Sequence, residues 1–113
     1  VLFEEGEKML KEIDKSYFEN SVLESERLSI VLFKEDDSKE CQEVEAILEE
    51  LSNRYVDVSF YKIDVNKERE VARSNYTMRV PTVMFFIDGE KKEEEIGYKD
   101  LQDFESLIRL YID

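Results

Sequence analysis

The segment SIVLFKEDDSKECQEVEAILEEL, residues 29–51, changes from a strand pattern to a helix pattern within a few positions. Residues 28–33 form a short apolar run rich in β-branched and aromatic side chains, which is typical of a strand buried on both faces. Residues 43–55 place their apolar side chains at helical spacing instead. At the junction lies the tetrapeptide SKEC, residues 38–41. A dithiol redox motif would have a cysteine at each end of it, and this chain has only the second one.

Length and composition predict one globular domain. The chain has 113 residues, of which 42% are hydrophobic, and its six tyrosines and seven phenylalanines can fill a core. Charged residues make up 40% of the chain, but this apolar content argues against disorder. We therefore expect a single domain over residues 1–113, with residues 1–8 as a candidate tail.

Charge and cysteine content exclude several classes of function. A net charge of −13 repels phosphate backbones and anionic lipids, so neither nucleic acid nor a membrane surface is an expected partner. The single cysteine, Cys41, cannot form an internal disulfide, so folding requires no oxidising compartment. The sequence contains neither an apolar run of about 18 residues nor the hydrophobic region of a signal peptide. We expect a soluble, cytoplasmic protein that is a monomer.

Strand and helix patterns continue to alternate along the chain. After the helix at 43–55, the predicted elements are a strand at 56–65, a short helix at 67–75, strands at 82–87 and 91–97 joined by the turn Asp88-Gly89, and a helix from residue 101 to the C-terminus. The charged side chains at 91–97 are typical of a sheet edge, where they discourage pairing between molecules.

The N-terminal region has weaker patterns. Asp14 is a candidate N-cap for a helix that faces Phe18 and Val22 inward. Residues 9–13 fit either a short strand or part of a helix, and we favour the strand. The resulting order is β-α-β-α-β-α-β-β-α, which right-handed crossovers fold into a mixed sheet between helices.

Five segments in this order resemble the thioredoxin family. The strand SIVLF, the loop ending in SKEC and the next helix resemble the family's active-site strand, CxxC motif and following helix. VSFYKIDVN resembles its third strand, and VPTVMFFIDGE resembles its cis-proline strand and hairpin. Ile96-Gly97-Tyr98 stands where the family has the glycine that borders the substrate groove. The resemblance covers about residues 9–113. It implies an α/β thioredoxin fold, a three-layer sandwich with a five-stranded mixed sheet flanked by four helices.

The chain departs from the family at several linked positions. Ser38 occupies the position of the nucleophilic cysteine, and Cys41 occupies that of the resolving cysteine. Asp37 replaces the tryptophan before the motif, and Lys39-Glu40 replaces Gly-Pro within it. Leu32 replaces the family's buried acid, which helps to move protons to the resolving cysteine. These losses together indicate natural divergence and imply little dithiol reductase turnover.

Ser38 has two interpretations. As a nucleophile it would need an adjacent base, usually histidine, and the chain has none. Asp36 and Asp37 would be weak bases at neutral pH unless strongly desolvated. Alternatively, Asp37 or Ser38 caps the helix, because residues 37–40 have the spacing of a capping box. We favour capping.

Cys41 also has two interpretations. It lies in the first turn of the predicted helix, whose dipole stabilises a thiolate. The acidic residues around it destabilise one, and only Lys39 opposes them. A lone thiol can form a mixed disulfide, but an external thiol must then release it. The other interpretation, which we favour, is a small residue packed under the loop.

Pro81 indicates a second candidate site. The resemblance implies that the Val80–Pro81 bond is cis, faces the active-site loop and presents the Val80 backbone to an extended peptide as an added strand. Such a groove needs no cysteine. The expected groove consists of Asp37, Lys39, Glu40, Val80, Pro81, Ile96, Gly97 and Tyr98, and the candidate catalytic residues are Cys41 and Ser38.

Two functions follow. The first is a thioredoxin-like protein of thiol–disulfide redox biology with a degenerate monothiol site. The resemblance implies a protein-disulfide oxidoreductase, but the nucleophilic cysteine is missing, so enzyme activity stays open. The second is a non-catalytic adaptor that holds a peptide or protein segment in the groove. Both predict a protein or peptide partner, in the first case through a mixed disulfide. No cofactor or metal is expected, since one cysteine and no histidine leave too few zinc ligands.

Overall fold

The computed structural model describes residues 10–112. Its strands are β1 (Lys11–Glu12), β2 (Ser29–Lys34), β3 (Ser59–Asp64), β4 (Thr82–Ile87) and β5 (Glu90–Ile96). Its helices are α1 (Lys15–Tyr17), which continues as a π-helix over Phe18–Val22, α2 (Lys39–Arg54), α3 (Arg69–Ser74) and α4 (Leu101–Ile112). The expected five-stranded mixed sheet and four helices are confirmed. The candidate tail lies outside the described residues, as does Met9 of the predicted first strand.

The sheet has the order β1-β3-β2-β4-β5. β3 runs parallel to both β1 and β2, whereas β4 runs antiparallel to β2 and β5. The central strand β2 is buried along its whole length. Its C-terminal end pairs with the start of β4 through Phe33 and Thr82. This pairing brings the loop before α2 and the residues before β4 to the same end of the sheet.

Two apolar clusters cover the two faces of the sheet. Successive side chains of a strand point to opposite faces. Leu32 accordingly packs with Leu48 of α2 and Phe104 of α4, whereas Phe33 packs with Phe18 on the other face. Burying a side chain of this size contributes about 1.5–3 kcal/mol. The sandwich is therefore built around β2, and the short loop after this strand ends at Ser38.

Most element boundaries differ from the sequence prediction by one or two residues, and the two largest differences are at the starts of β3 and α2. β3 begins at Ser59 and not at residue 56, because the N–H of Val58 donates to the carbonyl of Tyr55 at 3.1 Å and closes a turn after α2. This turn leaves Val56 69% exposed. α2 begins at Lys39, before the first apolar residue of its stripe, because a serine caps it there.

The predicted hairpin turn and the N-terminal cap are confirmed. Asp88 and Gly89 have φ values of 54° and 78°, and two such positive values are typical of a type I′ turn. A Cβ at Gly89 would lie 2.8 Å from the carbonyl oxygen of Leu23, so a side chain does not fit there. Asp14 Oδ1 accepts a hydrogen bond from the N–H of Tyr17 at 2.9 Å, as an N-cap does.

Candidate functional site

Ser38 lies at the N-cap of α2. Its backbone is extended, and its Oγ accepts a hydrogen bond from the N–H of Cys41 at 3.1 Å. Its carbonyl accepts the first helical bond, from the N–H of Gln42 at 3.1 Å. Of the two predicted caps, the structure therefore has Ser38 in this position. Asp37 is exposed and makes no hydrogen bond or ion pair within residues 10–112.

Removing the capping hydroxyl should lower stability. We expect Ser38→Ala to reduce the free energy of unfolding by about 1 kcal/mol, because the Cys41 N–H loses its acceptor. Ser38→Asp is the matched control, since its carboxylate can accept the same bond and favours the positive end of the helix dipole. Urea denaturation measures both variants. An alanine variant as stable as the parent would contradict the capping role.

Cys41 lies on the inward side of α2. It is 1% exposed and carries a free thiol. Its neighbour one turn later, Val44, is fully buried in the cluster that also contains Leu32. The thiol therefore stands beneath the loop and away from solvent, and a partner's sulfur can reach it only if the loop moves.

Leu32 fills the place of the family's buried acid with an apolar side chain. It is fully buried, and its cluster contains Phe60 and Val83 from the neighbouring strands. The side chain of Leu32 has no titratable group, so it cannot exchange a proton with the thiol of Cys41.

A buried lysine, which the sequence analysis missed, neutralises the acidic residue at the start of the loop. The side chain of Lys34 is 7% exposed, and its Nζ lies 2.6 Å from Asp36 Oδ1 and 3.9 Å from carboxylate oxygens of Glu12 and Asp64. Burial lowers the pKa of Lys34, but the hydrogen bond and the three negative charges outweigh it and raise that pKa overall. The same hydrogen bond holds the pKa of Asp36 below its usual value. Asp36 is therefore a poor base for Ser38.

Glu40 connects the loop before α2 to the segment after β5. Its Oε2 accepts a hydrogen bond from the N–H of Tyr98 at 3.0 Å. Its Oε1 lies 3.7 Å from a guanidinium nitrogen of Arg79. That guanidinium lies over Gly97, where an added Cβ would approach it to 3.7–3.9 Å. The sequence analysis included Glu40 and Tyr98 but missed Arg79, although its position just before Val80 was a usable signal.

The segment around Pro81 joins this arrangement from β4. The Val80–Pro81 peptide bond is cis, and Pro81 is buried. The carbonyl of Pro81 accepts a hydrogen bond from the N–H of Gly97 at 2.8 Å. Within residues 10–112, no hydrogen bond reaches the backbone N–H or C=O of Val80, which is half-buried. Ile96, which pairs with Thr82 at the end of β5, is 48% exposed.

The structure brings four of the eight residues of the predicted groove into direct contact in two pairs. Direct contacts join the Glu40 side chain to Tyr98 and Pro81 to Gly97. Lys39, like Asp37, is exposed and outside these contacts. In the part of the chain described, no cluster of three metal-ligating side chains occurs. No helix in that part is long and apolar enough to cross a membrane.

Comparison with known proteins agrees with this architecture. A model of the Thioredoxin family matches residues 9–110. The thioredoxin of Listeria monocytogenes is 31% identical over 105 residues, which span 92% of this chain and 100% of that protein. The thioredoxin of Peptoclostridium acidaminophilum is 33% identical over 87 residues, 76% of this chain and 79% of its own. Thioredoxin-1 of Schizosaccharomyces pombe is 29% identical over 89 residues, 79% and 86% of the two chains. The family model covers most of the chain and the sheet order fits the expected fold, so the chain belongs to the thioredoxin family, as the resemblance predicted.

Proposed function

We propose that this thioredoxin-family protein binds an extended segment of a partner protein at Val80 and turns over disulfide bonds little or not at all. The observation that carries the proposal is the pairing state of the Val80 backbone, whose N–H and C=O have no hydrogen-bond partner within residues 10–112. Main-chain polar groups in folded proteins are almost always paired. An extended segment beside Val80 would pair with both groups, as an added strand does.

The surroundings of Val80 suit a peptide. Ile96 and Tyr98 are each about half exposed, at 48% and 47%, and offer apolar contact to the partner's side chains. Glu40 and Arg79 form a charged rim. Their ion pair holds the two side chains in place, as does the hydrogen bond that Glu40 accepts from the N–H of Tyr98. A preformed rim reduces the ordering cost of binding.

Three features support low disulfide turnover. The chain has one cysteine, so no intramolecular thiol can resolve a mixed disulfide. That cysteine, Cys41, is 1% exposed. Leu32 provides no group for proton transfer, and Asp36 is held by Lys34.

We expect no thioredoxin-type reductase activity. In the presence of dithiothreitol, the protein should leave the rate of insulin precipitation at the background level, and Cys41→Ser should behave in the same way. The turbidity of reduced insulin measures this directly. Strong acceleration that depends on Cys41 would contradict the proposal, and strong acceleration that survives Cys41→Ser would place the chemistry elsewhere.

Binding is tested with a partner that cannot exchange disulfides. Reduced, carboxymethylated α-lactalbumin is an unfolded protein without free thiols, and we expect it to bind both the native chain and Cys41→Ser. The amide NMR signal of Val80 should shift and gain protection from hydrogen exchange, whereas that of Val56, an exposed residue in the turn after α2, should not. If Cys41→Ser abolishes binding, or if the Val80 amide is unaffected at saturation, the proposal is wrong.

A monothiol function is the second candidate, and the position of Cys41 in the first turn of the 16-residue helix α2 favours it. In this reaction the Cys41 thiolate attacks one sulfur of oxidised glutathione, forms a mixed disulfide and releases glutathione thiolate, and a second glutathione later frees Cys41. From its burial, we expect iodoacetamide and oxidised glutathione to modify native Cys41 far more slowly than urea-unfolded Cys41. Mass spectrometry measures both rates. Equal rates would favour the monothiol function over binding alone.

A further inference from the structure

An open depression of about 490 Å³ lies beside α3, outside the groove at Val80. It is lined by Val65, Arg69, Ala72, Arg73, Tyr76, Thr77 and Met78, which we call the α3 patch. The patch starts just after β3 and ends just before β4, so it lies at the same end of the sheet as Ser38. None of its residues takes part in the contacts of Glu40, Arg79 or Gly97 described above.

The α3 patch exposes two large apolar side chains. Met78 is 89% exposed and Tyr76 is 77% exposed, more than any other large hydrophobic residue within 10–112. Methionine adapts its flexible, polarisable side chain to different surfaces, and tyrosine is enriched among the residues that dominate binding energy. Their proximity in one depression is typical of a protein-binding surface.

The backbone of Tyr76 strengthens this interpretation. Its φ of 57° lies in the left-handed region, which bulky residues rarely adopt and glycine adopts freely. Hydrogen bonds fix the conformation: the N–H of Tyr76 donates to the carbonyl of Arg73 at 3.0 Å, and that of Thr77 donates to Ala72 at 2.9 Å. The tyrosine ring packs little against the fold, yet the chain carries it where glycine would be less strained. A role for the ring in binding accounts for this placement.

Two arginines give the α3 patch a positive charge within a chain of net charge −13. The guanidinium groups of Arg69 and Arg73 are exposed and form no hydrogen bond or ion pair with any residue in 10–112. The acids next to them are engaged with Lys15: Glu68 accepts its N–H at 3.0 Å, and Glu70 pairs with its Nζ at 2.7 Å. The two guanidinium groups are therefore available to carboxylates from outside.

The patch also contains an unsatisfied polar atom. The hydroxyl oxygen of Thr77 is buried and has no hydrogen-bond partner in the described part of the chain. Buried hydroxyls are usually paired, so this atom is an exception within the described residues. The groups that the depression offers to a partner are the exposed apolar side chains of Tyr76 and Met78 and the guanidinium groups of Arg69 and Arg73.

We propose that the α3 patch binds an acidic segment of a partner protein that carries one aromatic or large aliphatic side chain. The carboxylates pair with the guanidinium groups of Arg69 and Arg73, a geometry that allows two parallel hydrogen bonds. The apolar side chain packs between Tyr76 and Met78. A short acidic segment confines its charge to the patch, whereas a nucleic acid would carry its phosphates across the acidic surface around it. The proposal does not depend on the function of the groove.

The test begins with random peptides of about twelve residues, displayed on phage and selected against the full chain. Enriched peptides should combine Asp or Glu with an aromatic or large aliphatic residue. One of them, labelled with fluorescein, is then titrated by fluorescence polarisation. We expect Arg69→Glu to weaken its binding by at least about tenfold, since a charge-assisted pair becomes a repulsion. Arg27→Glu makes the same charge change at the opposite end of β2 and should have little effect.

A second variant separates binding from folding. Tyr76→Gly should weaken the same peptide by at least about tenfold, because the aromatic anchor is lost. Its thermal midpoint should stay the same or rise, since glycine relieves the positive φ. A variant that loses binding while keeping its stability identifies a binding side chain.

Several outcomes would overturn the proposal. Enriched peptides without acidic residues would do so, as would peptides that bind Arg69→Glu as tightly as the native chain. Competition by an oligothymidylate at similar affinity would assign the patch to phosphate polyanions instead. Sedimentation that shows a dimer broken by Arg69→Glu would assign it to a second copy of this chain.

Discussion

Restoring the missing sulfur with Ser38→Cys should give a chain that closes an internal disulfide yet reduces insulin slowly. The side chain of residue 38 already lies over the first turn of α2, since Ser38 Oγ is 3.1 Å from the backbone nitrogen of Cys41. A sulfur at the N-cap is also stabilised as a thiolate by the helix dipole. Treatment with oxidised dithiothreitol should therefore consume both free thiols in a thiol titration, and Ser38→Ala should keep one.

The slow reduction follows from the remaining surroundings. A general acid or base typically contributes 10²–10⁴-fold to a rate, and Leu32 offers none near Cys41. The charges of Asp36 and Asp37 further oppose a thiolate at position 38, although Lys34 offsets the first. We expect insulin reduction roughly 10²-fold or more below that of an ordinary dithiol thioredoxin in the same assay. Full activity from the single change would show that only the nucleophile is missing, and the binding proposal would lose most of its support.

Much of the fold could be predicted because its signals are local. The strand at Thr82–Ile87 has the predicted bounds, since a short apolar run is followed at once by the turn Asp88-Gly89. The cap at Asp14 depends only on residues three positions apart. The predicted start of β3, at residue 56, was wrong because valine is a strand-forming residue type and Val56 was therefore assigned to the strand. Its position is set by a turn at Tyr55, which the apolar pattern does not record.

The site was less predictable because its contacts join distant parts of the chain. Ser38 capping follows from the first turn of the helix, whereas the pair of Glu40 and Arg79 spans the loop before α2 and the residues before β4. The burial of Lys34 depends on its register opposite Asp64 in the parallel pair of β2 and β3. Pairing the two predicted strands in parallel, in the register that the structure has, places Lys34 opposite Asp64. The apolar pattern of one strand does not show its register with the neighbouring strand.

Placing an acid in the core with Leu32→Asp should destabilise the protein strongly. Leu32 is fully buried and packs in a cluster with Leu48 and Phe104. Losing its packing costs about 2–5 kcal/mol, and burying an unpaired polar group adds about 1–3 kcal/mol. Because the whole protein is stabilised by about 5–15 kcal/mol, the variant should be only marginally folded at neutral pH. Urea denaturation measures the loss, and a loss below about 1 kcal/mol would contradict the burial of this position.

The pH dependence of this loss identifies its cause. Burial raises the pKa of the new carboxyl group in the folded state, so between its unfolded and folded pKa values the native chain binds more protons than the unfolded chain. Stability should therefore fall as pH rises through this window and level off above the folded pKa. Leu32→Asn is the matched control, since it has similar size and polarity but does not titrate. The difference between the two variants, measured from about pH 5.5 to about pH 8.5 to stay above the pI of 4.5, should grow with pH. A constant difference would mean that water or a lysine solvates the carboxylate.

Adding Leu32→Asp to Ser38→Cys would then test the remaining step, because only a carboxyl group that exchanges protons with Cys41 can raise the rate of insulin reduction.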